Sequence, residues 1–468
     1  MFCEGSFHMN IRIENIGKIG IADIDIDGIT VIAGENNTGK STVGKAVFAT
    51  FESLFGYSDY IELQKFRYID EVLKPQSRNL NMLLNELANT TSENPAAAVK
   101  YSRKYVSEYT EATSENDVRD LTKRYCSEYI KRYGLNVRQT LEETTITQWI
   151  DTVTEDISKI FQSDSKRVGN IKITRTFSGI FNKQIIRIPN NDQDDIESGK
   201  IDLTIKQKKN SILFSHEKED ICTENNQTFE IMHRPIFIET SRAVDNLTHH
   251  PSDKITETDW VKLLCRPNGL SFYFTLLKKS PVNDNDEEIN DYVLLQSENK
   301  LKIIEEKLHQ IINGKFVKVN DELQFKVNNY KTPFKLPNLS TGLKSFALLL
   351  RIIELGVLRE KDVLILDEPE INLHPEWQLI YAELIVFMQK QLNLTVLMTT
   401  HSPYFLDALE VYTQKYEISD KCNYYLAETV NNDVQFTNVT DNLEPIYKKL
   451  FVPFQKLEDL EFLGEVIE

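Results

Sequence analysis

The chain has 468 residues, 41% of them hydrophobic, and a formal net charge of −17. That length leads one to expect two or three lobes with packed cores, and the acidity disfavours non-specific wrapping of nucleic acid. No apolar run nears the roughly 18 residues that span a bilayer, and residues 1–10 lack a basic start and an apolar segment, so the reading is of a cytoplasmic protein.

The first thirty residues alternate, with Ile11, Ile13, Ile24 and Ile26 among polar neighbours, which predicts antiparallel strands. A largely apolar strand over 29–33 then runs into Gly34-Glu35-Asn36-Asn37-Thr38-Gly39-Lys40-Ser41-Thr42 and a helix. This is the spacing of a phosphate-cradling loop: glycines let backbone amides crowd an anion, and the helix aims its positive end at the same point. Lys40 is placed to reach the β- and γ-phosphates, and the Ser41 hydroxyl to bind Mg2+.

Residues 57–168 are charged and rich in Glu, Lys, Tyr and Leu, which predicts a helical insertion without the heptads of a long coiled coil. Strands are expected next at Ile171–Thr174, Gln184–Ile188, Ser211–Phe214 and Pro235–Glu239, with Lys206-Gln207-Lys208-Lys209 as a solvated strand or turn. Val282–Asp291 is an acidic loop without the spacing of a Ca2+ site. A helix over 297–313 and a hairpin over 315–332 come next, then strands and helices that alternate as in a parallel sheet. The tail reads as a hairpin over 422–440 and a helix over 443–460. Five cysteines are scattered singly, as buried reduced thiols rather than a disulfide frame or zinc site.

Two apolar runs in this last part end in chemistry. Val363–Leu366 finishes in Asp367-Glu368-Pro369-Glu370, and Leu394–Thr400 finishes in His401. Buried parallel strands present ligands at their carboxyl ends. Asp367 can hold the Mg2+ shell, Glu368 can take the proton of a water attacking the γ-phosphate, and His401 can touch that phosphate or water. Leu339-Ser340-Thr341-Gly342-Leu343-Lys344-Ser345 opens an apolar helix and makes a second anion site. One γ-phosphate does not need two helix-end cradles from one chain, so a second protomer is expected to supply this element in a two-fold dimer.

Together, Gly34-x-Asn36-x-x-Gly39-Lys40-Ser41, Leu339-Ser340-x-Gly342-x-Lys344, Ile365-Leu366-Asp367-Glu368-Pro369 and Thr400-His401-Ser402 resemble the ABC-type ATPase head of the RecF, SMC and OLD-like groups. Asp367-Glu368-Pro369-Glu370-x-Asn372-Leu373-His374-Pro375 with Thr400–Leu406 resembles the bacterial OLD-like (AAA_15/AAA_21) ATPases in particular. The resemblance implies an α/β fold: an ABC-ATPase head with a mixed β-sheet lobe, a parallel-sheet P-loop core and helical insertions. Its parts would be 1–56 and 169–260 for the β lobe and phosphate loop, 57–168 for the insertion, 261–410 for the second ATPase lobe, and 411–468 for a tail that docks a partner.

Carried over by motif, the resemblance implies ATP and Mg2+ as ligands, with Asn36–Thr42 as the phosphate loop. Ser340, Gly342 and Lys344 become a signature acting in trans, Asp367 joins the Mg2+ shell, Glu368 is the base and His401 the switch histidine. Asn372 falls where the dimer-contacting D-loop is expected, and Glu239–Arg242 is where a Q-loop would fall. The implied role is an ATPase similar to those of the Septu or PARIS anti-phage systems, dimerising over ATP and governing a separately encoded nuclease or toxin. The alternative is a RecF- or SMC-like ATPase acting directly on DNA. Too little chain follows Leu406 for a Toprim nuclease, and a transporter motor lacks its membrane partner's features here.

Overall fold

The computed structural model describes residues 9–88, 105–132, 143–162, 164–187, 198–216, 221–231, 233, 235–238, 291–320, 322–354, 358–430 and 433–465. The chain divides into two compact units, Met1–Phe55 with Lys172–Glu468, and Gly56–Ile171.

The larger unit begins with β1 (Met9–Ile16), β2 (Ile19–Ile26) and β3 (Ile29–Gly34), followed by α1 (Lys40–Leu54). β1 and β2 pair antiparallel with Ile11 opposite Ile24 and Ile13 opposite Ala22, so the alternating apolar set lies on one buried face. β3 is buried along its whole length, and its one polar side chain, Thr30, donates to the Asp25 carbonyl at 3.2 Å. Gly44 lets α1 lie close on the sheet, since a Cβ there would stand 3.4 Å from both Ile365 and Phe237.

The smaller unit is helical. It holds α2 (Tyr57–Ala88), a helical segment over 105–111, α3 (Glu115–Arg132), α4 (Glu143–Gln162) and the first part of α5 (Ser165–Ile180). Its core gathers Leu73, Leu80, Tyr105, Tyr109, Tyr125, Tyr129, Trp149 and Val153. Tyrosine hydroxyls buried there find partners, with Tyr109 donating to Thr122 at 3.0 Å and Tyr125 to Ser77 at 3.0 Å. α2 runs through Pro75 without a break.

The expected strand at Ile171–Thr174 is part of α5 instead. Ile173, Phe177 and Ile180 are buried while Ile171 is exposed, so the apolar residues follow a helical stripe and the local alternation is incidental. Over 184–187, the described part of the next expected strand (Gln184–Ile188), there is an isolated bridge, Ile186 to Ile16, in place of a strand.

Beyond α5 the larger unit resumes with β4 (Ser198–Ile205), β5 (Lys208–Ser215), β6 (Ile221–Asn226) and β7 (Pro235–Ile238). Lys206 and Gln207 form the β4–β5 turn, with Lys206 at a φ of 57°. α6 (Asp291–Ile312) leads to β8 (Gly314–Val319), β9 (Glu322–Val327) and β10 (Phe334–Lys335). Then come α7 (Thr341–Glu354), β11 (Val363–Asp367), α8 (Pro375–Leu392), β12 (Thr395–Thr400) and α9 (Pro403–Lys415). β13 (Cys422–Val430), β14 (Asp433–Asn438) and α10 (Glu444–Glu465) close the chain.

Three sheets result. β2-β1-β4-β5-β6 is a five-stranded antiparallel sheet, and β10-β9-β8 a small antiparallel one. The third, β14-β13-β3-β12-β11-β7, is parallel except for the edge strand β14. The fold is therefore α/β, with parallel and antiparallel sheets: the lobe expected to be mixed is wholly antiparallel, the core carrying the phosphate loop is parallel but for its edge strand, and there are helical insertions. Its main core packs α7, α8 and α9 with the parallel strands through Phe346, Leu350, Ile385, Val396, Leu406 and their neighbours.

Cys126, Cys222 and Cys422 are free and buried, and burial pushes the three thiols up to about 11, 12 and 12. Cys3, Cys265, the acidic loop to residue 290 and the Glu239–Arg242 segment lie outside the described residues. Among the described residues, no helix is long and apolar enough to cross a membrane.

Candidate active site

β3, β12 and β11 lie side by side and parallel, so their carboxyl ends open onto one spot. Each delivers one piece of chemistry. From β3 comes the loop over 34–39, which turns through Gly34 (φ 156°), Asn37 (φ 69°) and Gly39 (φ 73°). Any side chain at Gly34 would drive its Cβ to 2.1 Å from the Ala427 carbonyl on β13, so only glycine fits. Thr38 Oγ1 donates to the Glu35 carbonyl at 2.8 Å, and Lys18 from the β1–β2 turn donates to Asn37 Oδ1. Glu35, Asn36 and Asn37 are exposed, while Ser41 and Thr42 are half-buried in the first turn of α1.

Lys40 is only 3% exposed. Its Nζ donates to the carbonyls of Gly34 at 2.9 Å and Glu35 at 2.6 Å, inside the loop's own curve. Burial pulls its pKa down, against the opposing pull of Glu368, Asp367, Glu370 and Glu35.

β11 delivers Asp367 and Glu368. Thr399, alongside on β12, donates its hydroxyl to Asp367 Oδ1 at 2.6 Å. The same hydroxyl accepts from the Glu368 amide at 3.0 Å, and that amide also reaches the Thr399 carbonyl at 3.2 Å. These bonds hold Glu368 at a φ of 48°, a left-handed conformation that costs a non-glycine residue on the order of 1 kcal/mol or more. The turn swings the carboxylate to 3.8 Å from Lys40 Nζ and 3.5 Å from His401 Nδ1.

His401 follows β12 and directly precedes Ser402, the N-cap of α9, whose hydroxyl accepts from the Phe405 amide at 3.3 Å. Its contact with the Glu368 carboxylate raises the His401 pKa, and the same contact draws Glu368 down. In both groups the side-chain hydrogen bond between them is the largest cause, charge attraction adds to it, and burial opposes it.

The cradle suits a polyphosphate. No side chain caps the first turn of α1 and no acid sits in it, so its leading amides and positive end are available to an anion. Ser41 and Asp367 offer hard oxygen donors of the kind Mg2+ takes.

Of the residues singled out in the sequence, Lys40, Asp367, Glu368 and His401 thus gather at the strand ends. Ser340, Gly342 and Lys344 begin α7 and sit with α8 instead. Ser340 is exposed, its hydroxyl accepting from the Leu343 amide at 3.3 Å, and a Cβ at Gly342 would stand 3.2 Å from Trp377. Lys344 is buried, and Asn372 is exposed at a φ of 66°. The sequence reading passed over Thr399, Thr400 and Glu370. Two threonines closing a buried strand just before a histidine were the available signal.

A family model described as "AAA domain, putative AbiEii toxin, Type IV TA system" matches residues 174–407. Comparison with curated proteins finds no match. Among solved structures, the chain is similar to the SMC head domain from Thermotoga maritima at 10% identity and a TM-score of 0.35, over 92% of this chain and 99% of that one. A Pyrococcus furiosus Smc head with an extended coiled coil, bound to the C-terminal domain of ScpA, gives 10%, 0.33, 99% and 100%. The recombination mediator RecF of the RecFOR pathway gives 11%, 0.36, 93% and 100%. The family match takes in half of the chain, including β11, β12 and the start of α7, though not the phosphate loop. On that match the chain belongs to this AAA domain family and is an ATPase of the AAA type.

Proposed function

We propose that the chain binds ATP with Mg2+ at the loop over Gly34–Thr42, hydrolyses it to ADP and phosphate, and uses the cycle to control assembly with a separately encoded effector, a nuclease or toxin, in anti-phage defence. The observation that carries the catalytic part is the convergence of three side chains. The Glu368 carboxylate stands 3.8 Å from Lys40 Nζ and 3.5 Å from His401 Nδ1, at the end of a parallel sheet.

In this reading the α1 amides and Lys40 take the β- and γ-phosphates, and Lys40 leaves the Gly34 and Glu35 carbonyls as it does so. Ser41 and Asp367 would hold Mg2+, which would supply positive charge beside the phosphates. Glu368 accepts a proton from the attacking water as its oxygen bonds to the γ-phosphorus and the bond to the bridging oxygen breaks. His401 offers a proton or hydrogen bond to the γ-phosphate.

Dimerisation is supported by the exposed Ser340 turn, a second helix start on the same chain. The effector role is supported by the toxin–antitoxin wording of the family description.

The test is Glu368→Gln. ATP binding should persist while turnover falls roughly 100- to 10,000-fold and an ATP-bound dimer accumulates. Rapid turnover in that variant refutes the assignment of the base. Co-purification from the native operon tests the effector, whereas a steep salt-dependent stimulation of turnover by DNA alone would favour direct action on DNA.

A further inference from the structure

Glu370 has no part in the chemistry above, yet it is the most deeply buried acid near it, at 2% exposure. A carboxylate sealed from water carries a desolvation cost of several kcal/mol unless its surroundings answer it. The answers here come from one direction. Oε1 accepts the Thr400 hydroxyl at 2.6 Å and the His401 amide at 3.1 Å, and stands 3.5 Å from His401 Nδ1. Oε2 is sealed off with no hydrogen-bond partner among the described residues. These donors and the Glu370 amide itself are all neutral, and the imidazole adds an electrostatic attraction to them.

The two threonines divide the work between them. Thr399 ties Asp367 and the Glu368 amide to β12, and Thr400 ties Glu370 to the residue before the histidine. The Thr400 hydroxyl also accepts from the Ser402 amide at 3.1 Å, so the backbone on both sides of His401 is pinned to one buried group.

We propose that Glu370 is the positioning residue for His401: with Thr400 as its anchor, it fixes the histidine backbone and keeps the proton on Nδ1, which presents Nε2 to the nucleotide in one tautomer. This rests on the reading of His401 as the residue that meets the γ-phosphate. Nδ1 lies between two carboxylate oxygens, Oε1 of Glu368 and of Glu370, each at 3.5 Å, and that environment favours N–H over a lone pair there. Glu368 must release its hold when it takes a proton. Glu370, buried and tied to β12, keeps the ring oriented through that step.

A double-mutant cycle tests this on the full chain, with turnover and the affinity for a fluorescent ATP analogue measured for Glu370→Gln, His401→Ala and the pair. Gln keeps the shape and the acceptor oxygen but removes the charge. The expected result is a fall in kcat of about 10- to 100-fold for Glu370→Gln with analogue affinity within about twofold, and no further fall when it is added to His401→Ala. A further loss on the His401→Ala background overturns the proposal, because Glu370 would then act independently of the histidine. Full turnover in Glu370→Gln beside a slow His401→Ala overturns the positioning role alone. Full turnover in His401→Ala overturns the nucleotide contact of His401 and the proposal together. Should Glu370→Gln fail to fold, Thr400→Val carries the same cycle. It should lower kcat less than tenfold, again only when His401 is present, and an equal loss without His401 overturns the proposal.

Discussion

Asp202 in the antiparallel sheet and Glu370 at the end of the parallel sheet are both buried acids, at 4% and 2% exposure, and they are answered in opposite ways. Around Asp202, Lys200 and Lys209 both place ammonium groups at 2.9 Å, and Ser211 donates at 2.6 Å from the facing strand. Burial pushes the Asp202 pKa up, but those hydrogen bonds outweigh it and hold the group below the usual carboxylate range. Around Glu370, burial prevails and its pKa rises. The antiparallel sheet pairs its buried charge in full. The parallel sheet gathers Asp367, Glu368 and Glu370 around one lysine and one histidine and leaves the balance unsettled, as a site awaiting a charged ligand does. Substitutions should therefore separate the regions: activity without stability at the strand ends, stability without activity in the antiparallel sheet.

The largest effect belongs to Lys40→Ala. Loss of two or more charge-assisted bonds to phosphate should weaken ATP binding at least about 100-fold, with thermal midpoint little changed. Calorimetric titration beside a melting curve checks both, and a collapse in the midpoint with intact binding would break the comparison.

Next is Ser340→Arg, at an exposed helix start outside the strand-end cluster. ATP binding to the single protomer should change less than about threefold, and turnover should fall more than about tenfold. Mixing it with Lys40→Ala should restore part of the activity, because one composite site in the mixed dimer keeps both halves. No recovery in the mixture argues against sharing between protomers.

The smallest effect is on stability alone. Asp202→Asn leaves Lys200 and Lys209 without their shared acid. Both lysines are 40% or more exposed, so the cost is discounted to about 1–2 kcal/mol. The sign with pH follows from the lowered pKa. Asp202 contributes its full stabilisation above the unfolded value of about 4, and loses it as pH falls through the folded value. The gap between wild type and Asp202→Asn in urea melts should thus narrow in acid, while ATP turnover at neutral pH stays the same.

Much of the strand-end cluster could be read from the chain because its parts are contiguous. Gly34 to Ser41 carries its own spacing, and the all-apolar run before Asp367 and the largely apolar one before His401 announce buried parallel strands. The order β13-β3-β12-β11 could not be read, since it joins residues near 30, 365, 398 and 425. Nor could the difference between Glu368 and Glu370: two acids two residues apart look alike until one lies in a left-handed turn and the other beneath Thr400. Ile171–Thr174 misled for the converse reason. Four residues are too few to tell a period of 2.0 from 3.6, and burial by neighbours decided it.

The seat of Gly34 beneath the Ala427 carbonyl has a consequence in time. β3 is flanked by β13 and β12, so both neighbours of the strand that launches the phosphate loop are made hundreds of residues after it. On the ribosome, the loop is made before either of these neighbours. It gains its second wall only once synthesis passes residue 427. A nascent chain therefore cannot complete that wall of the loop before β13 has been made.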